Sequence, residues 1–443
     1  MNKNEVDIKL KYMKMGYNLN LIEKFNGAIK YFQKVLLLDE NNFGALINIA
    51  ASFIRLKKLD EALEYFNMAL KVNPKDDFVL SEKGNIMFSK GRYKDAIKLY
   101  EEVININKNY KTSYYNKALS YEKMKEYSNA IKGYAELIEV DNKYFDAYYS
   151  KARVEENIGL YKDAIDTYKN LAKVREDDVE PYLKIAQVYN KIGFYKHALE
   201  YLDMVIKISP ELSIGYLNKA VILHTCEEDE EAIKWFDKAI IVEDDNPGIY
   251  VRKGQSYNSL NEYEKALECY GLAIQIKNDF FKAYIFKGEL LISQKRYKEA
   301  AECYDLLLKK DKSKQYSSLA RAPYNLAIAY KYLEDNKNLK TACESGLEYY
   351  DQLIEMSEEN PEFYALKGEL YMFLGNIVEA EKAYDYALKL DSDYAEGYYL
   401  RAKFYLLNNS EDKAIASIKQ CIKSDNGFKL KIEKDELLGK LIY

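Results

Sequence analysis

The chain has 443 residues, 48% hydrophobic and 31% charged, with a formal net charge of −5. This mild acidity argues against nucleic acid as the main partner, because a chain that tracks phosphates carries a basic stripe. The five cysteines (Cys226, Cys269, Cys303, Cys343 and Cys421) are odd in number and form no Cys-x-x-Cys pair, which argues against a disulfide framework and for a reducing compartment.

In chain order, residues 1–20 lack the apolar core of a signal peptide, and no later run reaches the roughly 18 apolar residues that cross a bilayer. A cytoplasmic chain with no membrane contact is expected. From residue 9 the chain repeats itself. The phrase "YKDAI" at Tyr93–Ile97 returns at Tyr161–Ile165, with looser echoes at Tyr127, Tyr195, Tyr263 and Tyr297. Ala28, Ala62, Ala96, Ala130, Ala164, Ala198, Ala232, Ala266 and Ala300 stand 34 residues apart, and Tyr114, Tyr148, Tyr182, Tyr216, Tyr250 and Tyr284 keep the same step. Units of two helices are predicted to begin near residues 9, 43, 77, 111, 145, 179, 213, 247 and 281.

An irregular unit then occupies 315–360, with "APYNLAIAYKYL" as its first helix, "NLKTACESGLEYYDQLIEM" as a longer second helix and Asn360-Pro361 as the stop. The break in register is either a hinge or simply a long helix. Units from 361 and 395 bring Ala380 and Ala414 back into step, as well as Tyr364 and Tyr398. Residues 429–443 place Leu430, Leu437, Leu438 and Leu441 on one helical face, suited to a helix that caps the last unit.

A 34-residue period with small residues at two fixed offsets and aromatics between them resembles the tetratricopeptide repeat. With the periodic alanine numbered 20, the family asks for Trp at 4, Leu at 7, Gly or Ala at 8, Tyr at 11, Phe at 24, Ala at 27 and Pro at 32. The unit from Pro247 supplies Tyr250, Gly254, Tyr257, Ala266, Tyr270 and Ala273, with tyrosine in place of the family tryptophan. The unit from Phe43 supplies Ala50, Phe53, Ala62, Phe66, Ala69 and Pro74. The resemblance implies an all-α fold: an α-solenoid, or superhelix, of antiparallel helix-turn-helix repeats forming one domain over 1–443. Regular repeats would fill 9–314, the irregular one 315–360, two more 361–428 and the capping helix 429–443. One helix pair cannot bury its own apolar face, so neighbours must stack. Small residues at 8, 20 and 27 let helix backbones approach while tyrosines fill the flanking gaps.

No catalytic constellation stands out, and neither a cofactor nor a metal site is expected. Phosphate-cradling glycine loops, a Gly-x-Ser-x-Gly elbow and a His-Glu-x-x-His helix are all missing from the sequence. The two histidines, His197 and His224, are isolated in sequence and read as structural or surface residues. Cys269 and Cys303 take the same slot in adjacent units and read as small buried side chains.

The resemblance also implies that the first helix of each unit, helix A, lines a concave groove that binds peptides or proteins through positions 2, 5, 6, 9, 12 and 13. Those positions share one helical stripe. In the units from 179, 213 and 247 the stripe is polar, with Lys184, Gln187, Asn190, Lys191, Asn218, His224, Arg252, Gln255 and Asn258. Of the five slots with which chaperone-binding members clamp a C-terminal carboxylate, Asn218 and Arg252 match, whereas Leu183, Gln187 and Gly248 do not. Asn48, Asn116, Asn218 and Asn325 all take position 6, as in members that bind an extended backbone through an asparagine ladder, here interrupted by Glu82, Ser150 and Lys184. The groove is slightly more positive than the chain, which favours an acidic partner. Near the C-terminus the stripe turns apolar through Leu366, Met372, Phe373, Tyr399, Leu400, Leu406 and Leu407. This stretch is either a docking or self-association surface, or a face closed by residues 429–443. The expected role is a non-catalytic scaffold holding an extended protein segment. A self-assembling structural protein is the alternative, and an RNA-binding helical repeat a more distant one.

Overall fold

In the computed structural model, which describes residues 3–311, 319–357 and 359–441, every regular element is a helix. Contacts divide the chain into two compact units, residues 1–210 and 211–443. The first unit holds six helix pairs: α1 (Lys3–Leu21) and α2 (Phe25–Leu38), α3 (Phe43–Arg55) and α4 (Leu59–Val72), α5 (Asp77–Ser89) and α6 (Tyr93–Ile106), α7 (Lys111–Lys123) and α8 (Tyr127–Val140), α9 (Phe145–Asn157) and α10 (Tyr161–Val174), α11 (Val179–Lys191) and α12 (Tyr195–Ile208). Nearly every A helix starts where the repeat numbering places it. The exception is α1, which begins at Lys3 instead of near residue 9.

The ends of the helices have local causes. Asn42, Asp76 and Asp178 accept a hydrogen bond from a backbone N–H in the first turn of α3, α5 and α11, filling an otherwise orphaned donor. At the other end of each A helix, position 15 adopts the left-handed conformation. Its φ lies between +56° and +80° at Glu23, Lys57, Gly91, Lys125, Gly159 and Gly193 in the first unit. The next residue's N–H then returns to the carbonyl at position 11, as in Lys58 to Phe53 and Arg92 to Met87, both at 2.9 Å. This closes the helix and turns the chain back on itself. Glycine adopts that φ without strain, whereas lysine and glutamate adopt it at a cost of about 1 kcal/mol.

Packing follows the small residues. The alanine at position 20 is fully buried in every regular repeat, from Ala28 through Ala300 and again at Ala380 and Ala414. Where position 8 is glycine, the ring at position 24 lies directly on it. A Cβ at Gly84, Gly254, Gly288 or Gly368 would come within 2.5–2.8 Å of Tyr100, Tyr270, Tyr304 or Tyr384. Each such ring is nearly or wholly buried, contributing about 1.5–3 kcal/mol of burial.

The second unit opens with three regular A/B pairs, α13 (Ser213–Thr225) and α14 (Asp229–Val242), α15 (Pro247–Ser259) and α16 (Tyr263–Ile276), α17 (Phe281–Ser293) and α18 (Tyr297–Lys310). The irregular repeat follows as α19 (Arg321–Tyr332) and α20 (Asn336–Met356), the latter 21 residues long. Residues 312–318, where this repeat was expected to begin, lie outside the described residues. The added length of α20 buries Tyr349, Tyr350 and Leu353, and the Tyr350 hydroxyl donates to the Ala320 carbonyl at 2.7 Å. Regular pairing resumes with α21 (Pro361–Phe373) and α22 (Ile377–Leu390), then α23 (Ala395–Leu407) and α24 (Glu411–Ser424). Arg321 ties three A helices together: its Nε lies 2.8 Å from Glu362, and its two terminal nitrogens lie 3.2 and 2.6 Å from the Glu396 carboxylate.

The C-terminal cap is helical but interrupted. It consists of α25 (Phe428–Glu433) and a 3-10 helix over Leu438–Leu441. The single apolar face expected of a continuous helix is therefore split: Leu438 and Ile432 are fully buried, while Leu430 and Leu437 point outward. Asp435 makes the break, accepting from the backbone N–H of Leu437 and Leu438 at 2.9 and 3.1 Å. The same carboxylate receives the Tyr399 hydroxyl at 2.5 Å and Lys403 Nζ at 3.2 Å, which pins the cap to α23.

Candidate functional site

The stripe formed by positions 2, 5, 6, 9, 12 and 13 of the A helices is buttressed from behind by the tyrosines at position 24. Their rings pass between helices A and B, and their hydroxyls emerge beside stripe residues. The position they reach depends on the small residue at position 8. Over Gly84 and Gly368 they reach position 9: Tyr100 donates to Asn85 at 2.9 Å, and Tyr384 donates to Glu369, whereas Tyr304 over Gly288 meets Asn325 of the next repeat. Over alanine they reach position 12: Tyr134 donates to Glu122 at 3.1 Å past Ala118, and Tyr168 to Glu156 at 3.0 Å past Ala152. In these four repeats the acceptor stands where the hydroxyl arrives, at position 9 over glycine and at position 12 over alanine. Nothing in the repeat spacing alone announces this coupling. The pairing of Gly or Ala at 8 with the residue at 9 or 12 is the signal that could have found it.

These struts, with neighbouring side chains, occupy much of the expected asparagine ladder. Asn116 donates to Asn85 at 3.0 Å, joining the Tyr100 network, and Asn325 donates to the Tyr304 hydroxyl at 3.0 Å. Asn48 donates to the Gly44 carbonyl at 2.7 Å and to the Tyr17 hydroxyl at 3.3 Å. All three keep a side-chain carbonyl on the stripe but spend amide hydrogens internally. Asn218, on α13, has no hydrogen-bond partner among the described residues.

The polar residues expected to share the middle stripe are divided between the two units. Lys184, Gln187, Asn190 and Lys191 lie on α11 in the first. Gln187, Asn190 and Lys191 are exposed, and Lys191 Nζ sits 5.2 Å from the centre of the Tyr161 ring. In the second unit Asn218 lies on α13, and Arg252, Gln255 and Asn258 lie on the neighbouring α15. Arg252 and Asn258 are exposed, Gln255 is half-buried, and none of their side chains has a partner among the described residues. His224 is not isolated, in contrast to the sequence reading: its Nδ1 lies 2.5 Å from the buried Asp229 and 3.2 Å from Ser256 Oγ. Asp229 stands five residues on, across the turn from α13 to α14, and only Ser256, 32 residues away on α15, was hidden by separation. His197 is exposed and stacks on Tyr189 at 5.1 Å.

The apolar stripe near the C-terminus is largely internal. Leu366, Tyr399 and Leu400 are 2%, 8% and 7% exposed, and the Phe428 ring of the cap lies 6.0 Å from Tyr399. Leu407 stays open at 55%. Beside it, a cavity of about 530 Å³ is walled by Tyr324, Met372, Phe373 and Phe404, with Glu369 on its floor. Burial pushes the Glu369 carboxyl above the usual carboxylate range, against the Tyr384 and Tyr324 hydroxyls that donate to it.

Among the described residues no group of three or more His, Cys, Asp or Glu side chains could hold a metal ion, and no helix is long and apolar enough to cross a membrane. Cys269 and Cys303 are both buried.

Comparison with known proteins agrees with this geometry. Models described as tetratricopeptide repeat match residues 44–76, 115–181, 247–280, 281–313, 343–395 and 365–427, and one described as TPR repeat matches 84–125. Among curated relatives, the small glutamine-rich tetratricopeptide repeat-containing protein 2 of Mycosarcoma maydis is 27% identical over 100 residues, 23% of this chain and 28% of that protein. The Protein STIP1 homolog of Dictyostelium discoideum is 33% identical over 110 residues, 23% of this chain and 19% of that protein. The matched segments thus span less than a third of these relatives' own length. Among solved structures, MamA is similar at 25% identity over 38% of this chain and 93% of its own, with a TM-score of 0.36. Yeast Tom70 is similar at 18% identity over 99% of both chains, with a TM-score of 0.41. The 34-residue helix pairs, the small residues at their contacts and the matching family models show that the chain belongs to the tetratricopeptide repeat family.

Proposed function

We propose that this chain is a non-catalytic protein-binding scaffold, and that the stripe of α13 and α15 holds an extended, acidic segment of a partner protein. One observation carries the reading. Of the eight arginines in the chain, six are ion-paired: Arg92, Arg153, Arg175, Arg296, Arg321 and Arg401. The other two, Arg55 and Arg252, have no carboxylate among the described residues, and both occupy stripe positions. An unpaired guanidinium offers a rigid fork of donors that matches a carboxylate. Beside Arg252, the free amides of Asn218, Gln255 and Asn258 can each donate to and accept from a peptide backbone. Affinity would come from several such contacts, with Arg252 as anchor.

The test is fluorescence anisotropy with a labelled ten-residue peptide carrying alternate Asp and Glu, against the same peptide with Asn and Gln. The acidic peptide is expected to bind at least about tenfold more tightly. Asn218→Ala with Arg252→Ala should remove that preference while leaving helix content and unfolding unchanged, since neither side chain has an internal partner. Equal binding of both peptides, or an unaltered preference in the variant, would sink the reading.

A further inference from the structure

We infer that the first two A helices of the first unit form a second docking site, one that takes an α-helical segment of a partner protein bearing apolar residues and a carboxylate. Along α1, Val6, Leu10, Met13, Tyr17 and Leu21 are spaced by four, three, four and four residues, so they share one face over about 22 Å. Leu10, Tyr17 and Leu21 are 61%, 44% and 81% exposed. The apolar stripe of the second unit is covered in part, with the cap's Phe428 against Tyr399, whereas here no described residue covers the leucines.

The face continues into an open cleft of about 380 Å³ between α1 and α3, bounded by Tyr17, Leu21, Phe25 and Ala51, with Arg55 at its edge. Two features select the occupant. Much of the cleft's polar capacity is spent internally: Ser52 donates to Asn20 at 3.0 Å, and Asn48 donates to Tyr17 at 3.3 Å and to the Gly44 carbonyl at 2.7 Å, which leaves the Asn20 amide N–H groups and the Asn48 carbonyl. An extended segment laid there would find few partners for its backbone groups, whereas a helix satisfies its own internally. Apolar residues recurring every three or four positions on such a helix would interdigitate with those of α1. The exposed Arg55 guanidinium has no partner among the described residues, so the charge the occupant must bring is negative.

The probe is a fluorescein-labelled 18-residue helical peptide with leucines at three- and four-residue spacing and one glutamate flanking the leucine face. A companion peptide carries lysine at that place. Wild type should bind the glutamate peptide saturably. Leu21→Ser and Arg55→Glu should each weaken it about tenfold or more, and Arg55→Glu should bind the lysine peptide better than wild type does. Both side chains are exposed, so circular dichroism should show the fold unchanged. Arg252→Ala should bind the glutamate peptide as wild type does, so this site and the acidic-segment site can fail independently. Absence of saturable binding, indifference to Arg55→Glu, or a wild-type preference for the lysine peptide would overturn the inference. So would sedimentation showing a dimer that Leu21→Ser dissociates, which would give this face to a second copy of the chain.

Discussion

Gly84→Ala tests whether the residue at position 8 sets the course of the tyrosine strut. Alanine is the better helix former by about 1 kcal/mol, so propensity alone predicts stabilisation. At Gly84, however, the new Cβ would lie 2.7 Å from Tyr100 Cε1 and 3.0 Å from Cδ1, well inside van der Waals contact, and the ring it meets is fully buried. Two responses are open. The ring can swing to the course that Tyr134 and Tyr168 take over alanine, toward position 12. Here position 12 is Phe88, already packed near Tyr100 and offering no acceptor, so the hydroxyl would lose Asn85 and be left unpaired at about 1–3 kcal/mol. Alternatively the helices can move apart to admit the methyl group, again at about 1–3 kcal/mol. Either response matches or outweighs the gain in propensity, for a net loss of up to about 2 kcal/mol. Repeat arrays open piecewise, so the suitable readout is hydrogen exchange of peptides from α5 and α6, not a single melting temperature. Gly271→Ala is the control: it is a helical glycine with nothing within 4 Å of the new Cβ, and it should slow exchange locally by up to about 1 kcal/mol. Slower exchange in Gly84→Ala than in wild type would refute the packing argument.

Burial raises the Glu369 carboxyl, so the folded chain keeps this proton above the pH at which the unfolded chain loses it. Stability from this group is complete below the unfolded value of about 4.3 and falls as pH rises toward the folded one. The difference in unfolding free energy between wild type and Glu369→Gln should therefore shift against wild type from about pH 4 upward, and a flat difference in urea titrations would contradict this. Asp435→Ala removes the acceptor for Tyr399, Lys403 and two backbone N–H groups. It should cost about 1–3 kcal/mol, read as faster exchange in α23, and unchanged exchange would show that apolar contacts alone hold the cap. Of the five thiols only Cys226 should react with Ellman's reagent in the folded chain. The others are buried, which pushes Cys269, Cys303 and Cys421 up to about 11 and Cys343 to about 12. A second fast thiol would refute this.

The alanine spacing made the register of the helices legible, because position 20 is a fully buried contact in every regular repeat. The A helices that start at Phe43, Asp77, Lys111 and on to Ala395 do so where that spacing puts them. The length of α20 was equally readable, since its apolar period runs on to Asn360-Pro361. Other features left no such trace. Lysine and glutamate carry no turn signal, so the left-handed positions Lys57, Lys125 and Glu227 could not be told from ordinary surface residues. A helical period through residues 429–443 suggested one cap, but Asp435 spends its carboxylate on the following N–H groups and breaks it. The stripe was located through resemblance, yet which of its asparagines are engaged depended on hydroxyls arriving from the far side of the repeat.

That dependence orders the free and occupied parts of the stripe. Where position 24 is tyrosine with its hydroxyl engaged, as at Tyr100, Tyr134, Tyr168, Tyr304 and Tyr384, a stripe side chain is held from within. Asn85, Glu122, Glu156, Asn325 and Glu369 are so held, and they serve the scaffold first. Position 24 is Phe32 and Phe66 in the two repeats that carry the α1 face and Arg55, and Phe236 in the repeat that carries Asn218. Phenylalanine fills the same gap but sends nothing to the stripe, so the polar groups there owe no bond to the interior. In the repeat of Arg252 the ring is Tyr270, whose hydroxyl has no partner among the described residues. An engaged hydroxyl at position 24 thus marks the repeats whose stripe is held from within, and both proposed docking sites fall in repeats that lack one.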